Sequence, residues 1–170
     1  MAHSSQWEHV QRNLAPLTVR DGIYREIEQG DAGIGGHPTM LGALGVVPET
    51  HRVDHPTMQA TLDSVLAKWP RDQTWGWDYP MMAMTAARLG RPDQAIEALL
   101  VDSPKNHYLA NGHNFQQPGL PLYLPGNGGL LFAAAMMAAG WQGAPQGHAP
   151  GFPTPDEGWT VRWEDLRPAL

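Results

Sequence analysis

The sequence has no cysteine among its 170 residues. This absence excludes a disulfide framework, a thiolate zinc site and a cysteine nucleophile, although it says little about the cellular compartment. Basic residues are also scarce, since 11 Lys and Arg stand against 17 Asp and Glu and leave a formal charge of −6. The few basic residues form no cluster. This charge pattern argues against a nucleic-acid-binding surface.

Long apolar runs are missing as well. No stretch of about 20 apolar residues occurs, so we expect no membrane-spanning helix. The first residues, MAHSSQWEHVQRN, have no apolar core of the kind that a secretory signal needs. A cytoplasmic protein is therefore expected if the sequence is the complete chain, and the compartment is unknown if it is a piece of a longer one.

Glycine, proline and tryptophan are plentiful, with 19, 16 and 7 copies. This composition predicts long, rigid loops that carry aromatic side chains. The length fits a single domain spanning residues 1–170. Within it, a Pro/Gly-rich tether over 143–158 leads to a C-terminal arm. There Trp159, Val161 and Trp163 alternate with polar residues, as in a short strand or an extended segment that pins the tail to the body.

Apolar residues recur at helical spacing in several segments, which predicts an all-α fold of short helices. Trp7, Val10 and Leu14 share one face of the first, which is expected to end near Ala15. Proline in the first turn marks the start of others. The predicted helices begin near Ser5, Pro38, Pro56, Pro80, Pro92 and Leu130. Because His-Pro-Thr-Met occurs at 37–40 and again at 55–58, two helices are expected to be entered in the same manner, the second capped by Asp54.

The segments between the early helices carry weaker signals. Residues 17–24 alternate around Asp21-Gly22, a hairpin-type turn. Glu26 and Glu28 follow in a polar stretch and are interpreted as solvated loop residues. The glycine-rich stretch GDAGIGG at 30–36 is rejected as a phosphate loop, because it lacks the Gly-Lys-Ser/Thr ending and no strand precedes it.

Residues 120–141, LPLYLPGNGGLLFAAAMMAAGW, divide into two halves of opposite character. The first half, to Gly129, is too rich in Pro and Gly for regular helix. The second half, 130–139, is apolar on every side and predicts a buried helix. Asn127 stands at the entry, where a loop facing a ligand and a plain N-cap are both open interpretations.

A second aromatic loop, RDQTWGWDY at 71–79, contains one carboxylate between aromatic rings. Asp78 is either the N-cap of the helix at Pro80 or a carboxylate held between Trp75, Trp77 and Tyr79 at a sugar site. Sugar rings present C–H faces that stack on aromatic side chains and hydroxyls that need polar partners. The sequence therefore offers Asp78 as a catalytic candidate, with the two tryptophans as substrate-binding residues.

The segment 105–117, KNHYLANGHNFQQ, is rich in amides, imidazoles and aromatics and poor in charge, which favours binding of hydroxyls over a solvated loop. His37, after two glycines, is expected near the mouth of another loop. Close histidine-ligand patterns are absent, so no metal and no cofactor is expected. The substrate-binding candidates here are His37, His107, Asn111, His113, Asn114, Gln116 and Asn127.

The order TWGWDYPMMAMTAARLGRPDQAIEALL, then a polar loop, then LPGNGGLLFAAAMMAAGW, resembles the C-terminal part of the (α/α)6-barrel, or six-hairpin, glycoside hydrolases. It is similar to the inverting α-L-fucosidase-like and maltose-phosphorylase-like groups. The resemblance covers about residue 36 to the end, and the ending VRWEDL is in keeping with it. It implies an all-α fold of helical hairpins that form part of an (α/α)6 toroid, with a short extended C-terminal arm.

Two departures from that family limit what the resemblance implies. The fucosidase-like motif Asp-Gly-Asn-Phe-Gly-Gly is matched by Gly126, Asn127, Gly128 and Gly129, but Pro125 stands where its catalytic Asp would be. Asp78, or a carboxylate elsewhere, would have to serve. The chain also has about half of the roughly twelve helices of such a toroid, and the hairpin that bears the family's general acid is missing.

The resemblance thus implies a glycoside hydrolase-like chain that contributes half of a saccharide site. A half toroid leaves apolar faces open, so we expect a homo-oligomer or association with a missing N-terminal half. Two alternatives stay open: a non-catalytic carbohydrate-binding module and a helical protein-interaction module. The expected partner is a saccharide, with neither nucleic acid nor membrane.

Overall fold

The computed structural model describes residues 2–28 and 36–170. This part of the chain is mostly helical, as the sequence predicts, and its strands form two short antiparallel pairs. Short 3-10 turns span Thr39–Leu41 and Pro155–Glu157. The helices and strands are α1 (Ala2–Asn13), β1 (Val19–Arg20), β2 (Ile23–Tyr24), α2 (Gly42–Gly45), α3 (His55–Lys68), α4 (Asp78–Arg88), α5 (Pro92–Leu99), β3 (His107–Tyr108), β4 (Asn114–Phe115) and α6 (Leu124–Ala139).

Helix α4 is the centre of the core. Every residue from Asp78 to Arg88 is buried, and the helix packs against α2, α5 and α6. Its residues are mostly Met, Ala and Thr, and a helix without a polar stripe is stable only when it is covered on all sides. The position of α4 therefore decides where the side chains at its N-terminal end, Asp78 among them, can lie.

The joint between α4 and α5 is the predicted helical hairpin. Gly90 has a φ of +71°, which glycine adopts without strain. The Arg91 amide returns to the Ala86 carbonyl at 2.9 Å and closes α4. Pro92 then starts α5. The hairpin predicted around Asp21-Gly22 is also confirmed, because β1 and β2 pair across that turn, where φ is +55° and +76°.

The two His-Pro-Thr-Met segments differ in structure. The second enters α3 with Pro56 in its first turn and Asp54 as the N-cap, as predicted. The first leads only into a 3-10 turn and the four residues of α2. The prediction that both are entered in the same manner is therefore wrong, since the first copy has no side-chain cap. Residues 30–35 of the glycine-rich stretch lie outside the described residues.

We expect Asp54→Ala to lower the melting temperature by a few degrees, because the Asp54 carboxylate caps α3 by accepting from the Thr57 amide at 2.8 Å. The hydrogen bonds from the Thr57 hydroxyl and the Thr57 amide hold the pKa of Asp54 below its ordinary value of 3.8. The stabilisation is therefore present above that value and is lost as pH falls through the folded pKa. Thermal unfolding over a pH series measures it, with the exposed Asp102→Ala as a matched control that should leave the melting temperature unchanged.

Helix α6 begins earlier than predicted. It starts at Leu124 and includes Pro125, Gly126 and Asn127, with Tyr123 as its N-cap. The prediction of an irregular segment up to residue 129 is wrong over these positions, and so is the N-cap interpretation of Asn127. Proline is tolerated here because the first-turn amides have no partner within a helix.

The burial of α6 was also predicted incorrectly. Ala133, Met136 and Met137 face α4 and are buried, but Leu131 is 70% exposed and Phe132 41% exposed. The helix is apolar on both sides, yet only one side is covered by the described chain. No helix in the described ranges is long and apolar enough to cross a membrane.

The tether and the C-terminal arm are fixed to the body. The Gly151 amide donates to the Met137 carbonyl at 2.9 Å, so the Pro/Gly-rich segment packs along α6. Residues 159–166 form no strand, and the segment bends at residues 164–165, where Asp165 has a φ of +56°. The short-strand interpretation is therefore wrong. Trp159 contacts Phe152, and Trp163 stacks on His148 with centroids 6.1 Å apart. The two tryptophans thus pin the arm, as predicted.

Candidate functional site

Asp78 lies in the first turn of α4 and is fully buried. It is not the N-cap: that position is Trp77, which makes no side-chain cap bond. Instead, Asp78 Oδ2 turns back and accepts from the Trp75 amide at 2.8 Å. A carboxylate at this place also meets the positive end of the helix dipole. The capping interpretation is therefore wrong, and the sugar-site interpretation stays a prediction.

The side chain that connects Asp78 to the surface is His37. Its Nδ1 lies 3.0 Å from Asp78 Oδ1 and 3.1 Å from Asp78 Oδ2, although the two residues are 41 positions apart. The His37 side chain is 37% exposed. The Trp77 indole N–H also donates to Nδ1, at 3.1 Å, so it competes with the carboxylate for this nitrogen. In the tautomer that carries its proton on Nδ1 and donates it to the carboxylate, Nε2 is the ring nitrogen left to accept a proton from another molecule. The pair has the arrangement by which a buried carboxylate orients a histidine base.

Burial is the main influence on the protonation of Asp78. It raises the pKa of this carboxyl above the ordinary value of 3.8, against the lowering effect of the bonds from Trp75 and His37. The negative charge of Glu26 raises the pKa of Asp78 further. Glu26 is held by the Thr39 amide and hydroxyl, at 3.1 and 3.2 Å. It is thus a second carboxylate in the surroundings of the pair, although the sequence favoured a solvated loop residue.

Aromatic rings surround the His37–Asp78 pair. The His37 ring lies 5.7 Å from the Trp75 ring, edge-on, and 5.0 Å from the Trp77 ring, measured between centroids. Tyr123 meets Trp75 at 5.4 Å, and the Lys105 ammonium lies 5.2 Å from the centre of the Trp75 ring. Sequence reasoning identified the two tryptophans. It missed Tyr123 and Lys105, whose only signal was their place at the edges of the polar and Pro/Gly-rich segments.

The entry of α6 lies at the same end of the molecule as Asp78. The negative charge of Asp78 contributes, after burial, to raising the pKa of the Tyr123 hydroxyl, and Tyr123 is the residue that precedes α6. A Cβ added to Gly129 would contact Pro80 at 3.2 Å. The start of α4 and the glycine-rich first turns of α6 therefore lie close together.

The polar segment 105–117 is a β-hairpin made of β3 and β4, and two of its candidate residues are sealed inside. Asn114 Nδ2 donates to the carbonyls of Lys105 and His107, at 3.1 and 3.2 Å. Gln116 Oε1 accepts from the Gly76 amide at 3.1 Å. Asn114 and Gln116 are both buried, so they hold the aromatic loop in place and do not meet a ligand directly.

Asn127 has a similar bracing role. Its Oδ1 accepts from the Asn114 amide at 3.0 Å and its Nδ2 donates to the Gly112 carbonyl at 2.7 Å, so both ends of the amide are occupied. Asn111 Oδ1 accepts from the His113 amide at 3.1 Å and shapes the hairpin turn. His107 and Asn111 are exposed and His113 is partly exposed. None of the hydrogen bonds or ring contacts among the described residues joins these three to His37 or Asp78.

The structure therefore brings together four of the predicted residues, His37, Trp75, Trp77 and Asp78, and places Asn114, Gln116 and Asn127 behind them as supports. Within the described ranges, no group of three or more His, Asp or Glu is arranged to hold a metal ion. What the cluster can do chemically is accept a proton at His37 and present aromatic surface beside it. Comparison with protein-family models, curated proteins and solved structures finds no match to this chain.

Proposed function

We propose that this chain forms part of the saccharide site of a glycoside hydrolase-like (α/α)6 toroid. One observation carries the proposal: a buried carboxylate, Asp78, binds the Nδ1 of a partly exposed histidine, and that histidine lies between two tryptophan rings. Aromatic rings next to a polar, proton-accepting group are what a sugar needs, since its C–H faces stack and its hydroxyls require partners.

In this proposal Asp78 acts through His37. Glycosidic-bond hydrolysis by inversion needs a base that activates water and an acid that protonates the leaving oxygen. His37 Nε2 would take a proton from the attacking water while its oxygen bonds to the anomeric carbon. The bond from that carbon to the leaving oxygen breaks as the acid donates its proton. Asp78 is a positioning residue that holds the imidazole and stabilises its protonated form.

The general acid has to come from a second carboxyl. Within the described chain the candidate is Glu26, whose negative charge acts on Asp78 and whose carboxylate accepts from Thr39; it would have to take up a proton before it could act as the acid. A further hairpin, from an N-terminal half or a second copy, is the other source. The helical hairpin α4–α5 and the packing of α6 on α4 support the placement in a toroid of helix pairs. The described helices number about half of those that a closed toroid requires.

The proposal predicts that the chain binds a neutral oligosaccharide through the aromatic cluster. Maltose, maltotriose and fucosyllactose serve as probes, with quenching of tryptophan fluorescence and calorimetry as readouts. Trp75→Ala and His37→Gln should each weaken binding at least about tenfold, because a stacking surface and a hydrogen-bonding partner are lost. The matched control is Trp163→Ala on the C-terminal arm, which should bind like the unchanged protein. Binding that survives both site substitutions would place any sugar elsewhere.

A non-catalytic saccharide-binding module is the second candidate. It is favoured by one observation, the complete burial of Asp78. Asp78→Asn separates the two: release of reducing sugar should be lost in an enzyme, whereas a binding module binds equally well with or without the carboxylate and releases none. If none of the probes binds, the helical protein-interaction alternative remains.

A further inference from the structure

The outer side of α6 is an apolar surface that the described chain leaves open. Leu124, Gly128 and Leu131 follow one another on successive turns, opposite the side that packs on α4, and Phe132 lies beside them. Gly128 is small, so another helix can approach the backbone closely at that point. From Leu124 to Ala139 the helix has no charged residue. Covering this face would therefore bury no charge.

Helix α1 carries a second open apolar stripe. Trp7 and Val10 lie on one side of it, Leu14 follows directly after its last residue, and Trp7 is 72% exposed. Among the described elements, none packs along α1 to any extent. Its end is fixed to the body by the Arg52 guanidinium, which donates to the Leu14 carbonyl at 2.8 Å. Within the described part of the chain, Trp7, Val10 and Leu14 are therefore left exposed.

We propose that two copies of this chain associate by reciprocal exchange, with α1 of each copy packed on the outer face of α6 of the other. The apolar face of α1 in one copy then covers the apolar face of α6 in the other copy, and the same contact is repeated in the opposite direction. This contact follows from the apolar surfaces of α1 and α6 alone and does not depend on the saccharide site.

The exposed area is of the size that a dimer requires. The six side chains that form the two faces expose at most on the order of 700 Å² in each chain, if every one is given the ~200 Å² of a fully exposed aromatic side chain. A stable interface buries about 800 Å² per partner. These side chains are Trp7, Val10, Leu14, Leu124, Leu131 and Phe132.

The charges of α1 are compatible with this contact. Its Glu8 and Arg12 form a pair at 3.8 Å. Helical spacing puts this pair on the side of α1 opposite to Trp7, Val10 and Leu14. The exchange leaves both charges in water and buries only apolar side chains. The net charge of −6 opposes association over longer distances, so salt should strengthen the dimer.

Sedimentation velocity of the purified full chain across a micromolar concentration series tests the exchange. We expect a monomer–dimer equilibrium whose dissociation constant rises at least about tenfold in Leu131→Glu and in Trp7→Glu, since each places a charge in an apolar contact. The matched control is Leu100→Glu. Leu100 is 73% exposed but lies outside both faces, so this variant should dimerise like the unchanged chain, with circular dichroism confirming that all three fold.

A second measurement uses the absence of cysteine. Val10→Cys and Leu131→Cys chains, mixed under mild oxidation, should form the mixed disulfide dimer faster than either forms a disulfide with itself. A monomer at every concentration would overturn the proposal. So would a dimer that Leu131→Glu breaks and Trp7→Glu leaves intact, because that result indicates α6 packing on α6.

Discussion

Gly126→Ala is expected to lower the free energy of unfolding by about 2 kcal/mol, whereas Gly128→Ala, two positions along the same helix, is expected to raise it by about 0.5–1 kcal/mol. A Cβ at Gly126 would lie 2.3 Å from Asn114 Oδ1 and 2.7 Å from its Cγ. Asn114 is buried and its Nδ2 is bonded to two carbonyls, so it has no room to withdraw. A Cβ at Gly128 meets nothing within 4 Å.

Asn114 Oδ1 also leaves no room for a side chain at Gly76. A Cβ at Gly76 would lie 2.1 Å from Asn114 Oδ1 and 2.8 Å from the Lys105 carbonyl. Asn114 Oδ1 is buried and accepts no conventional hydrogen bond among the described residues, so the Cα–H groups of Gly76 and Gly126 are its neighbours. Such C–H···O contacts are weak, so the steric conflict with an added Cβ is the larger effect at both positions.

Chemical denaturation of the single and double variants measures this coupling. If the clash with Asn114 is the cause, Gly126→Ala should cost much less in an Asn114→Ala background than alone, giving a coupling energy above about 1 kcal/mol. Measurement at low concentration keeps the proposed dimer from contributing to the Gly128→Ala result. Equal effects of the two glycine substitutions would contradict the close approach of α6 to Asn114.

The elements that the sequence predicted well are those whose signals are local. Asp54 before Pro56 and Thr57 is sufficient to start α3, and the Gly90-Arg91-Pro92 joint is sufficient to separate α4 from α5. The start of α6 could not be predicted this way. Its Pro125 and Gly126 signal a loop locally, but the tertiary contact with Asn114, on a hairpin earlier in the chain, requires a glycine inside the helix.

In the candidate site, too, the features with a local sequence signal were predicted and those that depend on distant contacts were not. The Trp75–Asp78 loop was found because aromatic residues and a carboxylate are adjacent in sequence. The partner of Asp78 was found only as a separate candidate, His37, because a contact across 41 positions leaves no local pattern. Glu26 was interpreted as a solvated loop residue for the same reason. Apolar periodicity also predicted the hydrophobic face of α1, and the apolar run 130–139 predicted a helix that is hydrophobic on every side. Neither pattern contains information on whether another element covers these surfaces.

The unchanged protein is expected to lose stability as pH rises through the acidic range. In Asp78→Asn this loss should be absent. Burial raises the pKa of Asp78 in the folded state above the ordinary value of 3.8. Between that value and the folded pKa, the folded state binds more protons than the unfolded state. The free energy of unfolding therefore falls with rising pH in this interval. Each unit of difference between the two pKa values amounts to about 1.4 kcal/mol.

The difference in unfolding free energy between Asp78→Asn and the unchanged chain isolates this contribution, because Glu26 and the other titrating groups are common to both. Urea unfolding at a series of acidic pH values measures it. The variant should gain relative stability as pH rises and then keep it. His37→Gln is the matched control, since it removes the partner and retains the buried carboxyl, and it should keep the downward slope. A stability difference that stays constant with pH would show that Asp78 keeps its ordinary pKa.

The same variant also determines which nitrogen of His37 carries the proton. His37 Nδ1 lies 3.1 Å from the Trp77 indole nitrogen as well as next to the Asp78 carboxylate. In Asp78→Asn the new carboxamide has both an acceptor oxygen and a donor N–H, and its oxygen accepts more weakly than a carboxylate. The Trp77 indole N–H can only donate. We therefore expect the amide N–H to turn towards Nδ1, so that Nδ1 accepts and the proton of neutral His37 moves to Nε2. Nitrogen NMR of the ring should show this exchange of tautomers. Because Nε2 is the proposed base, its protonation should abolish any hydrolysis while the stability rises. A variant with unchanged tautomer and unchanged activity would remove Asp78 from the proposed mechanism.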